Sequence, residues 1–108
     1  MMAKLHPIIE RRSVSYEAIT VAATAIGFTA TKILPTSGDW SGVKCEEAFC
    51  TLETNSVRWT VDGTTPTASV GHLMVAGESL TLESRSDITN FRAIKVTNAA
   101  SLKVTYKF

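Results

Sequence analysis

Val57-Arg-Trp-Thr-Val61, Asp62-Gly-Thr-Thr-Pro-Thr-Ala68 and Gly71-His-Leu-Met-Val-Ala-Gly-Glu-Ser-Leu-Thr-Leu-Glu83 decide the fold. Val57, Trp59 and Val61 share parity, and Arg58 and Thr60 take the other face. Leu80 and Leu82 alternate in the same way with Ser79, Thr81 and Glu83. Alternation with period two marks a half-buried strand. Gly accepts positive φ and Asp bonds its own backbone, so Asp62-Gly63 supplies a reversal. The stretch predicts a hairpin with register set by Asp62-Gly63 and with Trp59 in the core. Gly77-Glu78 is a second tight turn, between strands at 73–76 and 79–83.

Working outward, the chain of 108 residues is the length of one domain with one continuous core. It is 44% hydrophobic and 19% charged, too apolar for disorder. A net charge of +1 predicts no nucleic-acid partner. The start, Met1-Met-Ala-Lys-Leu-His-Pro-Ile-Ile9, lacks the long apolar core and cleavage site of a secretory signal. No run approaches the roughly 20 apolar residues of a membrane helix. The sequence therefore predicts a protein made in the cytosol, with no membrane partner.

Toward the amino terminus, 1–13 does not read as an ordered element. Pro7 interrupts it and Glu10-Arg-Arg-Ser13 ends it in charge. It is either a frayed terminus or an extended arm that reaches a neighbouring subunit. Residues 14–26 carry β-branched Ile19, Thr20, Val21, Thr24 and Ile26, which favours a strand over a helix. Gly27 breaks the run, and Phe28 to Leu34 reads as a second strand in hairpin with the first. The loop Pro35-Thr-Ser-Gly-Asp-Trp-Ser-Gly42 offers one indole, Trp40, to cap the sheet end or to contact a partner.

Val43 to Thr54 reads as a long strand. Ala48, Cys50 and Leu52 lie on one face, Phe49, Thr51 and Glu53 on the other, with a bulge or bend at Glu46-Glu47. Ser86 or Asp87 could cap a single helical turn within 84–90. Phe91 to Thr97 is a strand buried in part on both faces. Leu102, Val104, Tyr106 and Phe108 alternate with Lys103, Thr105 and Lys107 in the clearest amphipathic strand of the chain. The predicted fold is all-β. It is a single-domain antiparallel β-sandwich, jelly-roll-like, with about eight strands over 14–108, preceded by an extended N-terminal arm over 1–13.

Candidate chemistry is sparse. His6 and His72 have no second ligand at metal spacing. His72 reads as a surface residue in a turn, and no triad or phosphate loop is visible. Asp62 alone is too few carboxylates for a calcium cage and more simply shapes its turn. Glu46 and Glu47 are adjacent on a strand and point to opposite faces, so they do not share a site. Cys45 and Cys50, if on one extended strand, lie about 16 Å apart, beyond the roughly 7 Å that a disulfide allows. They read as reduced, buried, small apolar residues. No catalytic residue, metal ligand or cofactor site is expected.

The stretch 57–73 resembles a recurrent pattern in small structural proteins of tailed bacteriophages. In these an Arg–Tyr/Trp–x–x–Asp–Gly–Thr–x–Pro–Thr–Ala–x–x–Gly–His hairpin comes first. It is followed by Gly–Asp/Glu–x–Leu–x–Leu–Glu, Asn–Phe–Arg/Lys–Ala–Ile and Ala–x–Leu–x–Val–Thr–Tyr segments. Here these are Arg58 to His72, Gly77 to Glu83, Asn90 to Ile94, and Ala100 to Tyr106. The match covers about Ala48 to Phe108, and the order of four segments is more specific than any one of them. The Asp-Gly-Thr-x-Pro-Thr piece alone also resembles a turn in accessory β-domains of bacterial glycosidases.

The resemblance implies a non-enzymatic virion component at the capsid surface. The expected role is a capsid decoration or cement protein, with the major capsid protein or other virion proteins as partners. A homo-oligomer, dimer or trimer, is expected. A neck, tail or head-fibre accessory is the second expectation, and a carbohydrate-binding module the third. The interface candidates are Leu5, Ile8, Ile9, Arg11 and Arg12 at the amino-terminal end, and Trp40 in the 35–42 loop.

Overall fold

The computed structural model describes residues 11–108. The chain is an all-β sandwich of seven strands in two antiparallel sheets, with two short helices. In chain order the elements are β1 (Ser13–Val21), α1 (Ala30–Ile33), β2 (Glu47–Glu53), β3 (Val57–Thr60), β4 (His72–Met74), β5 (Ser79–Leu82), α2 (Arg85–Asn90), β6 (Arg92–Lys95) and β7 (Ala100–Lys107). The larger sheet has order β1-β7-β2-β5, and the smaller has order β4-β3-β6.

β7 is the axis of the larger sheet and keeps the predicted alternation. Leu102, Val104, Tyr106 and Phe108 are buried, and Lys103, Thr105 and Lys107 are not. β2 does the same with Ala48, Cys50 and Leu52. Both thiols are free and buried. The expected break at Glu46-Glu47 is the strand's start: β2 begins at Glu47, and Glu46 still donates its N–H to the Lys107 carbonyl at 3.0 Å. The chain leaves β2 through Thr54 and Asn55, both with positive φ (56° and 41°). Asn tolerates this region better than a β-branched residue does.

The stretch 28–34 does not form the expected strand. Phe28 turns into the core and stacks on Phe91, with ring centroids 4.4 Å apart and planes 5° apart. Its edge also meets Tyr106 at 5.5 Å. That inward turn takes the chain away from β1, and Ala30–Ile33 closes into a helical turn. Thr29 precedes it without capping it, because its hydroxyl donates to Glu17 at 2.7 Å.

Val57 to Glu83 departs from expectation in three ways. β3 and β4 do pair antiparallel, Val57 with Met74 and Trp59 with His72. The reversal, however, is the whole of 61–71 rather than Asp62-Gly63 alone. Asp62 shapes its first bend by accepting the Thr64 N–H at 3.0 Å, and a second tight turn joins Thr67 to Val70. The strands around Gly77 are also not one hairpin: β4 lies in the smaller sheet and β5 in the larger. Trp59 packs against the core as expected but is only half-buried, while Thr60, of the opposite parity, is buried. The cause is the 61–71 loop, which folds back and covers Thr60, whose hydroxyl bonds the Thr64 carbonyl.

The expected helical turn is α2. Its cap is Ser84, not Ser86 or Asp87, and the Ser84 side chain accepts the Asp87 N–H at 3.3 Å. β1 begins at Ser13, and Arg12 exchanges both backbone hydrogen bonds with Phe108 (3.1 and 3.0 Å). Of the arm expected over 1–13, residues 1–10 lie outside the described residues, and 11–13 run into the sheet instead of standing apart from it.

Candidate interaction surface

The candidate contacts fall in different settings. Leu5, Ile8 and Ile9 lie outside the described residues. Arg11 is half-buried, and its Nη1 sits 3.1 Å from Glu47 Oε1. Lys107 Nζ approaches the other oxygen of Glu47 at 3.3 Å. Glu47 therefore binds two cations and straps the chain at Arg11 to the larger sheet. Arg12 is exposed, and its backbone completes the sheet beside Phe108. Trp40 is half-buried with its ring 5.3 Å from that of Phe108. The indole folds over the sheet end and is not free for a partner across its whole face.

What is fully displayed is the outer face of the larger sheet. Tyr16 pairs with Thr105, Thr105 with Phe49, and Phe49 with Thr81. One row across all four strands thus reads Tyr16–Thr105–Phe49–Thr81. Tyr16 is 57% exposed and Phe49 39%. The next row is Ala18–Lys103–Thr51–Ser79. Lys103 lies 3.8 Å from Glu53 at the rim. Aromatic rings on a threonine sheet, rimmed by paired charges, form a surface for non-covalent recognition. The parity of Phe49, opposite to Cys50 and Leu52, could have identified it in the sequence. Tyr16, of opposite parity to Ile19 and Val21, falls on the outer face by the same rule.

The smaller sheet offers Trp59 at the mouth of an open cleft of about 450 Å³ with Leu73, Met74, Glu78 and Leu80. The indole already has ring neighbours in His72 at 4.7 Å and Phe91 at 6.3 Å. Those contacts compete with any sugar ring stacked on it.

The polar groups of the recurrent pattern are used inside the protein. Arg58 donates from Nη1 to the Gly71 carbonyl at 3.2 Å and from Nε to the Ala68 carbonyl at 3.4 Å. Pro66 is fully buried. Arg58 and Pro66 thus pin the 61–71 loop onto its own sheet.

The titratable groups fit the same picture. Burial pushes the Cys50 thiol up to about 12. Burial also raises Cys45, against hydrogen bonds to the Glu47 and Lys107 carbonyls. A protonated thiol is a poor nucleophile. Tyr106 is raised by burial and by its hydrogen bond to Glu17. Asp62 is lowered chiefly by the Thr64 backbone N–H. Glu46 pairs with Arg85 at 3.1 Å, apart from the partners of Glu47. Among the described residues no three His, Cys, Asp or Glu side chains are grouped to hold a metal ion. No helix among them is long and apolar enough to cross a membrane. Compared with known proteins, the chain matches no family model, no curated protein and no solved structure.

Proposed function

We propose that this chain is a non-enzymatic virion structural protein of a tailed bacteriophage, a capsid decoration or cement protein that staples major capsid subunits and stabilises the head. One observation carries the reading: the four segments that resemble such proteins occur here in the same order, from Arg58 to Tyr106. They correspond to the β3–β4 hairpin with its braced loop, then β5, β6 and β7. The mechanism is geometric. A rigid sandwich lies across a seam between shell subunits and presents a flat face, the Tyr16–Phe49 row, to them. Each contact is small, but repetition over the shell turns weak contacts into avidity. The protein would be made in the host cytoplasm and act at the capsid surface, as a dimer or trimer.

Particles made without the protein test this. They should lose resistance to heat and to removal of divalent ions, and an image of the complete particle should place copies over the head lattice. Unchanged resistance would refute cementing. Copy number separates the neck, tail or head-fibre alternative, because a closed ring there holds about six to a few tens of copies.

A further inference from the structure

We propose that the outer edge of β1 is a twofold interface, pairing antiparallel with β1 of a second copy of this chain about an axis at Ala18. Four sheet edges need cover. That of β6 is closed within the chain: Ile26 exchanges both backbone bonds with Ala93 at 2.9 Å, and Lys95 donates to the Ala22 carbonyl at 3.0 Å. Those of β4 and β5 are three and four residues long, short enough to resist pairing. β1 is nine residues long and, among the described residues, has no strand on its outer side.

The alternation of hydrogen bonds shows which groups are free. Arg12 bonds Phe108 in both directions, while the Lys107 carbonyl faces β2 through Glu46. Successive residues of β7 therefore turn alternately to β1 and to β2. Tyr106, Val104, Leu102 and Ala100 turn to β1, and their partners Ser15, Glu17, Ile19 and Val21 are engaged. The N–H and C=O of Tyr16, Ala18 and Thr20 then point away from the sheet. Among the described residues no backbone group outside β7 bonds them. Thr29 reaches β1 through the Glu17 side chain, and the 35–42 loop and α1 border a cleft with Val14 and Ser15. Among the described residues the stretch 16–20 is left clear.

The occupant follows from self-complementarity. A twofold at Ala18 sets Ala18 against Ala18 of the partner, and Tyr16 against Thr20. Each of these three pairs exchanges two hydrogen bonds, about six in all. Aromatic and β-branched side chains opposite each other are favourable partners. No like charges meet. The one charged residue of the strand, Glu17, is turned inward to Tyr106 and Thr29, and it would face Ile19. The edge carries no Lys, Pro or outward charge to repel a copy of itself. Two four-stranded sheets would join into one of eight, and the Ala18–Lys103–Thr51–Ser79 row would become continuous across the axis. This interface does not depend on a virion role.

The test is sedimentation velocity of the full chain over a range of concentrations, with amide hydrogen exchange at low and high concentration. A weak, concentration-dependent dimer is expected, because the contact is smaller than a standard interface. The amides of Tyr16, Ala18 and Thr20 should slow at least tenfold in the dimer. Ala18→Lys sets like charges on the axis, so it should remain monomeric while still melting cooperatively, at a slightly lower temperature because it faces Lys103. A wild type that stays monomeric would overturn the proposal. So would an Ala18→Lys protein that dimerises as the wild type does, or protection of these amides already present in the monomer.

Discussion

Cys50 should make this fold sensitive to alkali. Its side chain has no exposed surface, and burial raises the thiol from 9.0 to about 12. In the unfolded chain it titrates near its ordinary value. The folded pKa is the higher, so this stabilisation is complete below about pH 9 and is lost as pH rises toward 12. Inside the window each pH unit costs about 1.4 kcal/mol, so at about pH 10.5 the loss from Cys50 is about 2 kcal/mol. Tyr106 and Cys45 are raised as well and act in the same direction at higher and similar pH. Cys50→Ala removes this titration, at a cost of about 1 kcal/mol for the lost sulfur, the same at either pH. Urea unfolding in reductant, near pH 8 and near pH 10.5, measures both proteins. The wild type should lose at least about 2 kcal/mol between the two conditions, and Cys50→Ala should lose about 2 kcal/mol less than the wild type. Equal losses, or a wild type with flat stability, would refute the reasoning.

Gly27 passes against the backbone of Phe91, and a Cβ there would sit 2.7 Å from the Phe91 carbonyl oxygen. That atom cannot rotate aside, so Gly27→Ala should destabilise by about 1–3 kcal/mol in thermal melts, and a neutral result would mean that the 22–28 crossing has room to shift away from Phe91. Arg58→Met keeps the aliphatic stem but removes the donors to Ala68 and Gly71. It should cost about 1–2 kcal/mol and speed proteolysis within 61–71. Wild-type protease resistance would show that buried Pro66 holds the loop unaided.

The elements with strict alternation were legible, and the reason is local. β7 and the second half of β2 each bury one face against the same core, so parity alone places Leu102, Val104, Cys50 and Leu52. Illegible elements are those where a distant contact decides. Phe28 finds Phe91 63 positions away, and the expected strand becomes α1. Thr60 is buried because a loop returns over it, which no parity rule contains. Gly77 is a turn, as its residue type predicts, with φ of 93°. A turn does not state whether its two strands share a sheet. Of the surface candidates, Trp40 and Arg11 are mostly absorbed into packing, while parity places Tyr16 opposite Ile19 and Val21, and Phe49 opposite Cys50 and Leu52, on the outer face.

The location of recognition follows from what the recurrent pattern consumes. Arg58 spends its hydrogen bonds on two carbonyls of its own loop, and Asp62 on Thr64. Pro66 is buried, and Trp59 is flanked by two rings. A residue whose polar atoms and faces are already engaged contributes little to a new contact, since each bond gained outside would break one inside. The groups with unspent capacity lie on the larger sheet: the backbone of Tyr16, Ala18 and Thr20 along one edge, and the rings of Tyr16 and Phe49 on its face. The 58–72 hairpin and the groups able to bind are therefore separate, although Thr81 and Thr105 of the exposed face belong to later segments of the pattern. Substitutions in 58–72 should register first in stability, and substitutions on β1 and at Phe49 first in assembly.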